Sequence, residues 1–374
     1  MKRILIVGSY SPSLINFRGP LILALRARGY SVQVCAPAIR QDASSRRWLE
    51  TEGITWHDAP LSRTGLNPFK DLRALLALIR LMRENRPDVF IGYTIKPVIW
   101  GLLASRIARV PKRVALITGL GYAFTGSASG KRALVQSIAR RLYRLALRGA
   151  QVIFFQNPDD RADFARLGLL PEGATVMIVN GSGVNLQWFA MADLPRGPTK
   201  FLLIARLLGD KGIREFTGAA AILGRKWPGT EFHLVGGLDP NPNGILRSEI
   251  DEWVRAGIIV WHGAVDDVRP ALAACHVYVL PSYREGTPRT VLEAMAMGRA
   301  VVTTDAPGCR ETVEPNVNGF IVPPRDVAAL VEAMEQFLLQ PNLVPEMGAQ
   351  SRRIAEEKYD VHKVNAAMLH TMQL

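Results

Sequence analysis

KFLLIARLLGDKGIREFTGAAAILGRKW, residues 200–227, decides the fold of this chain. The apolar run KFLLIARL has strand length and ends in a Gly-Asp turn. REFTGAAAILGRKW then carries helical composition. A short apolar run closed by glycine and followed by a helix is the βα step of a parallel sheet buried on both faces. The step repeats toward the C-terminus. EFHLVGG, IIVWHGAV, HVYVLPS, AVVTTDAPG and GFIVPP read as strands; TVLEAMAMG and DVAALVEAMEQFLLQ read as helices. It also repeats toward the N-terminus. There RILIVG, SVQVCAP, PDVFIGY, KRVALITG, QVIFFQN and TVMIVNGSGVN are strand-like. RGPLILALRARG, DLRALLALIRLMREN and IWGLLASRIARV are helical, the first with Pro20 near its start. The expected class is α/β: two Rossmann-like, doubly wound parallel-sheet domains facing a cleft. A Pro/Gly linker at MADLPRGPTK divides them into residues 1–190 and 191–357.

The chain has 374 residues and a net charge of +13. Residues 1–185 hold 27 Lys/Arg against 11 Asp/Glu, and the remainder 19 against 22. One half therefore faces something anionic: a phospholipid surface, a diphosphate or nucleic acid. No nucleic-acid motif or interleaved aromatics accompany the charge, so nucleic acid is the weakest of the three. No apolar run reaches the ~18 residues of a membrane span, and Met1-Lys2-Arg3 precedes a run too short for a signal peptide. Cys35, Cys275 and Cys309 are odd in number and widely spaced, which fits a reducing compartment and neither a disulfide framework nor a zinc site. No G-x-G-x-x-G opens the first helix, so a nicotinamide reading lacks its phosphate fingerprint.

Two strand-end loops carry the chemistry. In SYREGTPRTVLEAMAMG, residues 282–298, a loop precedes a helix that begins at or just after Pro288. Free amides at a helix start bind phosphate, Gly286 lets backbone approach closely, and Thr287 adds a hydroxyl. Glu293, one to two turns in, would accept from a ribose hydroxyl pair, and Glu285 would face a sugar beyond the diphosphate. A lone pair of glutamates is more often only solvated surface. The loop holding Arg206 and Lys211 changes that balance: two cations at a strand end neutralise the charge developing on a nucleoside-diphosphate leaving group without a metal. Gly237 in LVGGLDPNP, His262 and Val265 in WHGAVDD, and Val291 in the helix complete the expected donor pocket.

These residues resemble the retaining glycosyltransferases of family 4, with the GT-B fold. The resemblance rests on Arg206, Lys211 and the Glu-x7-Glu spacing of EGTPRTVLE; it spans nearly the whole chain and is most specific over 200–325. It implies diphosphate binding by Arg206 and Lys211, ribose binding by Glu293, donor-sugar contact by Glu285, and backbone contacts from Gly286, Thr287 and Pro288. It also implies a last helix, about 358–374, that packs back on the acceptor-binding first domain. NFRGPLILALRARG, GLGYAFT, SGVN, LVGGLDPNP and LPSYREGTP are similar to the bacterial subgroup that extends undecaprenyl-diphosphate-linked sugars. Its best-known member adds GalNAc to diacetylbacillosaminyl-diphospho-undecaprenol in protein N-glycosylation. This implies an N-acetylhexosamine, GalNAc or GlcNAc, moved from a UDP-sugar co-substrate to a polyprenyl-diphosphate-linked sugar in O-antigen, capsule or N-glycan assembly. No other cofactor and no metal is implied. The sequence departs from the family at the N-terminal-domain histidine, since Thr94-Ile95-Lys96 follows VFIGY instead.

The acceptor side is read more coarsely. In GSYSPSLINFRGP, residues 8–20, Asn16 and Arg18 would approach a phosphate, or else only decorate a strand-to-helix loop. Backbone carbonyls, Lys96 or Thr118 would fill the place of the missing histidine. KRALVQSIARRLYRLALRG, 131–149, carries Leu134, Ile138, Leu142 and Leu145 at helical spacing with six cations and reads as a helix on an anionic membrane surface, or else as a core-facing amphipathic helix that happens to be basic. The expected location is cytoplasmic, peripheral on the inner face of the membrane. Two competing readings are a UDP-N-acetylglucosamine 2-epimerase of the same architecture and a non-enzymatic membrane-binding protein.

Overall fold

The computed structural model describes residues 1–61, 67–119 and 131–374, with backbone alone at 131–134. The chain forms two compact units: Met1–Ser182 with Val364–Leu374, and Gly183–Lys363.

The first unit runs β1 (Arg3–Val7), α1 (Ser11–Ala27), β2 (Ser31–Ala36), α2 (Ala43–Thr51), β3 (Thr55–Asp58), α3 (Pro68–Asn85), β4 (Val89–Tyr93), α4 (Ile95–Ile107), β5 (Lys112–Ile117), α5 (Lys131–Leu147), β6 (Val152–Phe155), α6 (Pro158–Arg166) and β7 (Thr175–Ile178). Its seven strands lie in the order β3-β2-β1-β4-β5-β6-β7, all parallel. The second unit runs β8 (Lys200–Ile204), α7 (Ile213–Lys226), β9 (Glu231–Val235), α8 (Arg247–Arg255), β10 (Val260–Trp261), α9 (Arg269–Ala273), β11 (Val277–Leu280), α10 (Arg289–Ala296), β12 (Ala300–Thr304), β13 (Gly319–Val322), α11 (Val327–Leu339) and α12 (Leu343–Ile354). Its six strands, β10-β9-β8-β11-β12-β13, are also all parallel. Each order reverses once, between β1 and β4 and between β8 and β11. Ligands of doubly wound sheets bind at the carboxyl ends of the strands at this reversal.

Strand composition follows from two-sided burial. In β8, Phe201 and Leu203 enter the core that α7 and α11 cover, while Leu202 and Ile204 enter the core that α10 covers. Side chains alternate across a strand, so a run apolar at every position is what two covered faces require. The first sheet does the same: Leu5 and Val7 face α3 and α4, and Ile4 and Ile6 face α1.

The unit boundaries differ from the composition-based ones. Val184 and Phe189 are buried in the second unit's core, and Val184 N–H donates to the Tyr359 carbonyl at 2.8 Å while Val361 N–H donates to the Val184 carbonyl at 3.0 Å. The chain therefore joins the second unit at residue 183, not 191. It returns to the first unit at Val364, within the last helix α13 (Val361–Thr371), whose Val364, Met368 and Leu369 fill the core beside α1. The first helix also starts earlier than expected. Pro12 sits in its first turn, and Pro20 is inside it. Pro20 has no N–H for the carbonyl of Asn16 four residues back, but packing of Leu14, Leu21, Ile22 and Leu25 against the sheet holds the helix across that gap. IIVWHGAV, by contrast, yields only the two-residue edge strand β10.

Candidate active site

The second unit's site grows from the reversal between β8 and β11. After β8 the chain makes a tight turn at Gly209–Lys211 and enters α7 through Gly212. Gly212 has φ +72°, and a Cβ there would lie 2.1 Å from the Pro281 carbonyl oxygen, so glycine alone fits between the two loops. The loop after β11 is tied to this turn. Tyr283 N–H donates to the Asp210 carbonyl at 2.9 Å, and Ser282 Oγ lies 3.1 Å from the same oxygen.

This locking brings Lys211 and Glu285 together. Lys211 Nζ lies 2.5 Å from Glu285 Oε1, which also accepts from Ser282 Oγ at 2.8 Å. The backbone of Glu285 rests on the loop after β12: its N–H donates to the Pro307 carbonyl at 2.9 Å, and a Cβ at Gly308 would meet the Glu285 carbonyl oxygen at 2.3 Å. Arg206 leaves the end of β8 with its side chain 53% exposed, and its Nη1 pairs with Asp239 Oδ2 at 2.9 Å. Gly286 is buried and Thr287 half-buried, and Pro288 is the extended cap from which α10 begins. Glu293 is buried on α10, where its Oε1 accepts from Arg289 Nε at 2.7 Å. Burial raises the Glu293 carboxyl above its ordinary range, and the Arg289 guanidinium opposes that rise.

The remaining donor-side expectations divide. The Gly237 carbonyl accepts from Leu207 N–H at 3.2 Å, which joins the loop after β9 to the loop after β8. Val265 leaves its apolar side chain 40% exposed beyond β10. His262 is exposed and hydrogen-bonded to the His233 ring at 2.9 Å, with the rings stacked and His233 in turn on Glu231 at 3.0 Å. Val291 is corrected: its side chain is wholly buried in the core and its N–H is bonded to the Pro288 carbonyl, because the first turn of α10 points it into the sheet.

In the first unit, the reversal between β1 and β4 brings Ser9 and Thr94 together, Oγ to Oγ1, at 2.8 Å. Thr94 has φ 68° and ψ 164°, a region that a β-branched residue occupies only under strain of order 1–3 kcal/mol. Lys96 carries no spare charge toward solvent: its Nζ forms a buried ion pair with Asp71 Oδ1 at 2.7 Å. Arg18 lies on α1, not in a loop. It is buried, with its guanidinium 5.2 Å from the Tyr93 ring centroid, while Asn16 on the same helix is exposed. Residues 120–125 of GLGYAFT and the Leu134 side chain lie outside the described residues.

Ser282, Asp239, Arg289 and Asp71 are the residues that motif spacing missed. Each is ordinary in sequence and gains its place through a partner 25 or more residues away or one helical turn along. Among the described residues no three His, Cys, Asp or Glu side chains are grouped to hold a metal ion, and no helix is long and apolar enough to cross a membrane.

Residues 198–340 match the family model for glycosyl transferases group 1, and residues 19–181 match the glycosyl transferase 4-like domain. The chain is 32% identical over 341 residues to the N,N'-diacetylbacillosaminyl-diphospho-undecaprenol alpha-1,3-N-acetylgalactosaminyltransferase of Campylobacter jejuni, covering 87% of this chain and 86% of that protein. It is 25% identical to the UDP-Gal:alpha-D-GlcNAc-diphosphoundecaprenol alpha-1,3-galactosyltransferase of Escherichia coli, over 71% of this chain and 70% of that one. The fold is shared with the sucrose-phosphate synthase of Thermosynechococcus elongatus, at TM-score 0.83 and 19% identity over 100% of this chain and 98% of that one. It is also shared with Anabaena Alr3699/HepE, whose structure holds UDP, at TM-score 0.76 and 20% identity over the whole of both chains. Neither the epimerase nor the non-enzymatic reading finds support in these likenesses. With two parallel-sheet Rossmann-like units, the chain belongs to the group 1 and 4-like glycosyl transferases and is a glycosyltransferase of the GT-B fold.

Proposed function

We propose that this glycosyltransferase moves an N-acetylhexosamine from a UDP-sugar to a polyprenyl-diphosphate-linked sugar, with retention of the α-configuration, at the inner face of a membrane. The observation that carries the donor half is the Lys211–Glu285 pair at 2.5 Å, held at the β8/β11 reversal with Arg206 on the same strand end. The acceptor half rests on the likeness to the Campylobacter enzyme, whose name gives a diphospho-undecaprenol acceptor.

In this reading the donor diphosphate takes the charge of Lys211 and Arg206, drawing them from Glu285 and Asp239. Glu285 is then released toward the sugar, and Glu293 accepts from the ribose hydroxyls. Gly286, Thr287 and the Pro288 cap line the phosphates, with Gly237, His262 and Val265 near the base. The bond from the sugar C1 to the diphosphate oxygen breaks, and its electron pair stays on that oxygen. The acceptor hydroxyl bonds to C1 on the same face, and its proton passes to the departing diphosphate. The two cations stabilise that leaving group, so charge neutralisation is assigned to side chains and to no metal. On the acceptor side, exposed Asn16 is the contact we retain. Arg18 and Lys96 act by holding Tyr93 and α3 behind the β4 turn.

Labelled UDP-GalNAc and UDP-GlcNAc, each incubated with the enzyme and a lipid extract containing undecaprenyl-diphosphate sugars, test the reading. Label from one donor entering the organic phase is the expected result and identifies the epimer. Release of UDP with all label left in water would overturn the lipid acceptor.

A further inference from the structure

Helix α3 packs Ala74, Leu78, Ile79 and Met82 into the first unit's core. Its opposite face is not polar. Phe69, Leu72 and Leu76 are 85, 52 and 58% exposed. Their spacing, i, i+3, i+7, places them on one side of a helix. Arg80 and Arg83 continue that side, and Lys70 and Arg73 flank it, all exposed. The exposed acid on the helix is Glu84, which Arg80 Nε already holds at 2.7 Å, since Asp71 is turned inward to Lys96. An open groove of about 380 Å³ is lined by Leu76, Ile79, Arg80, Arg83 and Glu84.

We propose that this face of α3 is where the first unit sits on an anionic lipid bilayer. The proposal rests on the lipid-acceptor reading and names the surface that reading leaves open. Charge decides the occupant. The face carries four exposed cations, Lys70, Arg73, Arg80 and Arg83, against one exposed acid that is already paired, and a helix lying in a headgroup layer combines large apolar side chains with Lys and Arg that extend to the phosphates. The neighbouring helices agree. α4 packs between α3 and α5, and α5 buries Ala139, Tyr143, Ala146 and Leu147 while leaving Ile138 and Leu145 exposed beside Arg141 and Arg148. Of the stripe expected from sequence on α5, only Ile138 and Leu145 are exposed; Leu142 packs against the core and the Leu134 side chain lies outside the described residues, so the larger exposed apolar stripe is on α3.

Position agrees as well. Asp71, in the first turn of α3, binds Lys96, in the first turn of α4 just beyond the Ser9–Thr94 contact. The apolar end of α3 is therefore at the carboxyl edge of the sheet, and its cationic end points away. A lipid whose diphosphate reaches the strand ends would lay its first isoprene units over Phe69, Leu72 and Leu76.

Co-sedimentation of the full chain with phosphatidylglycerol/phosphatidylcholine vesicles, compared with phosphatidylcholine alone, tests this. The wild type is expected to bind the anionic vesicles. A Phe69→Ser/Leu72→Gln/Leu76→Gln variant is expected to bind about 10³-fold more weakly, since each of the three side chains moved from water into lipid is worth about tenfold. Its melting temperature should fall little, because Phe69 is almost wholly in water and Leu72 and Leu76 are more than half exposed. Arg80→Gln/Arg83→Gln should flatten the salt dependence of binding. Wild-type affinity in the triple variant would overturn the proposal, as would a soluble dimer that the triple variant dissolves with vesicle binding unchanged. Vesicle binding lost in the triple variant, with no label transferred to lipid by the wild type, would uphold the docking face and overturn the acceptor reading instead.

Discussion

Lys211 and Glu285 are 74 residues apart and share a proton-bearing contact of 2.5 Å. A cation that is already in place when the leaving group forms needs no reorganisation, which is where such donors gain their effect. Lys211→Ala and Arg206→Ala are each expected to lower the turnover number roughly 10²-fold; steady-state kinetics with saturating donor would show it, and an unchanged turnover number in both would remove them from the mechanism. Glu293 makes a second prediction. Burial lifts its carboxyl above the 4.5 of an unperturbed glutamate. Between those two values the folded chain binds more protons than the unfolded chain, so stability falls as pH rises from 4.5 through the folded value and then levels. Glu293→Gln should remove this slope in thermal melts and weaken the stabilisation that UDP confers. A slope that survives the substitution would assign it to another group. Thr94 makes the third: Thr94→Gly should relieve a strain of order 1–3 kcal/mol and raise the melting temperature. A drop in melting temperature would refute it.

At the scale of elements, the strand-end loops approach so closely that glycine is mandatory. Gly236, at the end of β9, has φ +153°, and a Cβ there would fall 1.8 Å from the Ala205 carbonyl oxygen. Gly236→Ala should therefore destabilise the second unit by more than about 1 kcal/mol in urea titration, the loops after β8 and β9 moving apart with it. Elements that bury a whole face were legible: β8, β11 and α11 read directly from their apolar runs. Those that bury little were not. α2 buries only Ser45 and Leu49, and α8 only Ile250, too few positions to make a period. β3, TWHD, is an edge strand with no buried residue. The start of α1 was hidden by Pro20, which reads locally as a helix opening although packing carries the helix through it.

Across the whole molecule, the last turns of the chain complete the first unit, where Val364, Met368, Leu369 and Met372 are buried. Ending the chain at Lys363 should lower the first unit's unfolding transition in calorimetry by several kcal/mol, at ~1.5–3 kcal/mol for each large side chain re-exposed, and leave the second unit's transition in place. Sequence by itself determined the α/β class, the two units and the cationic first half, and it marked the residue types of the candidate donor site, because two-sided burial and strand-end glycines write themselves into local composition. Tertiary structure alone decided which side chains meet. The order β8-β11 sets Lys211 against Glu285, α10 turns Val291 inward and Glu293 onto Arg289, and the packing of α3 on α4 commits Lys96 to Asp71. Such pairings depend on strand order and helix rotation, which are global consequences of how the whole sheet buries its two faces and leave no mark at either partner's own position in the chain.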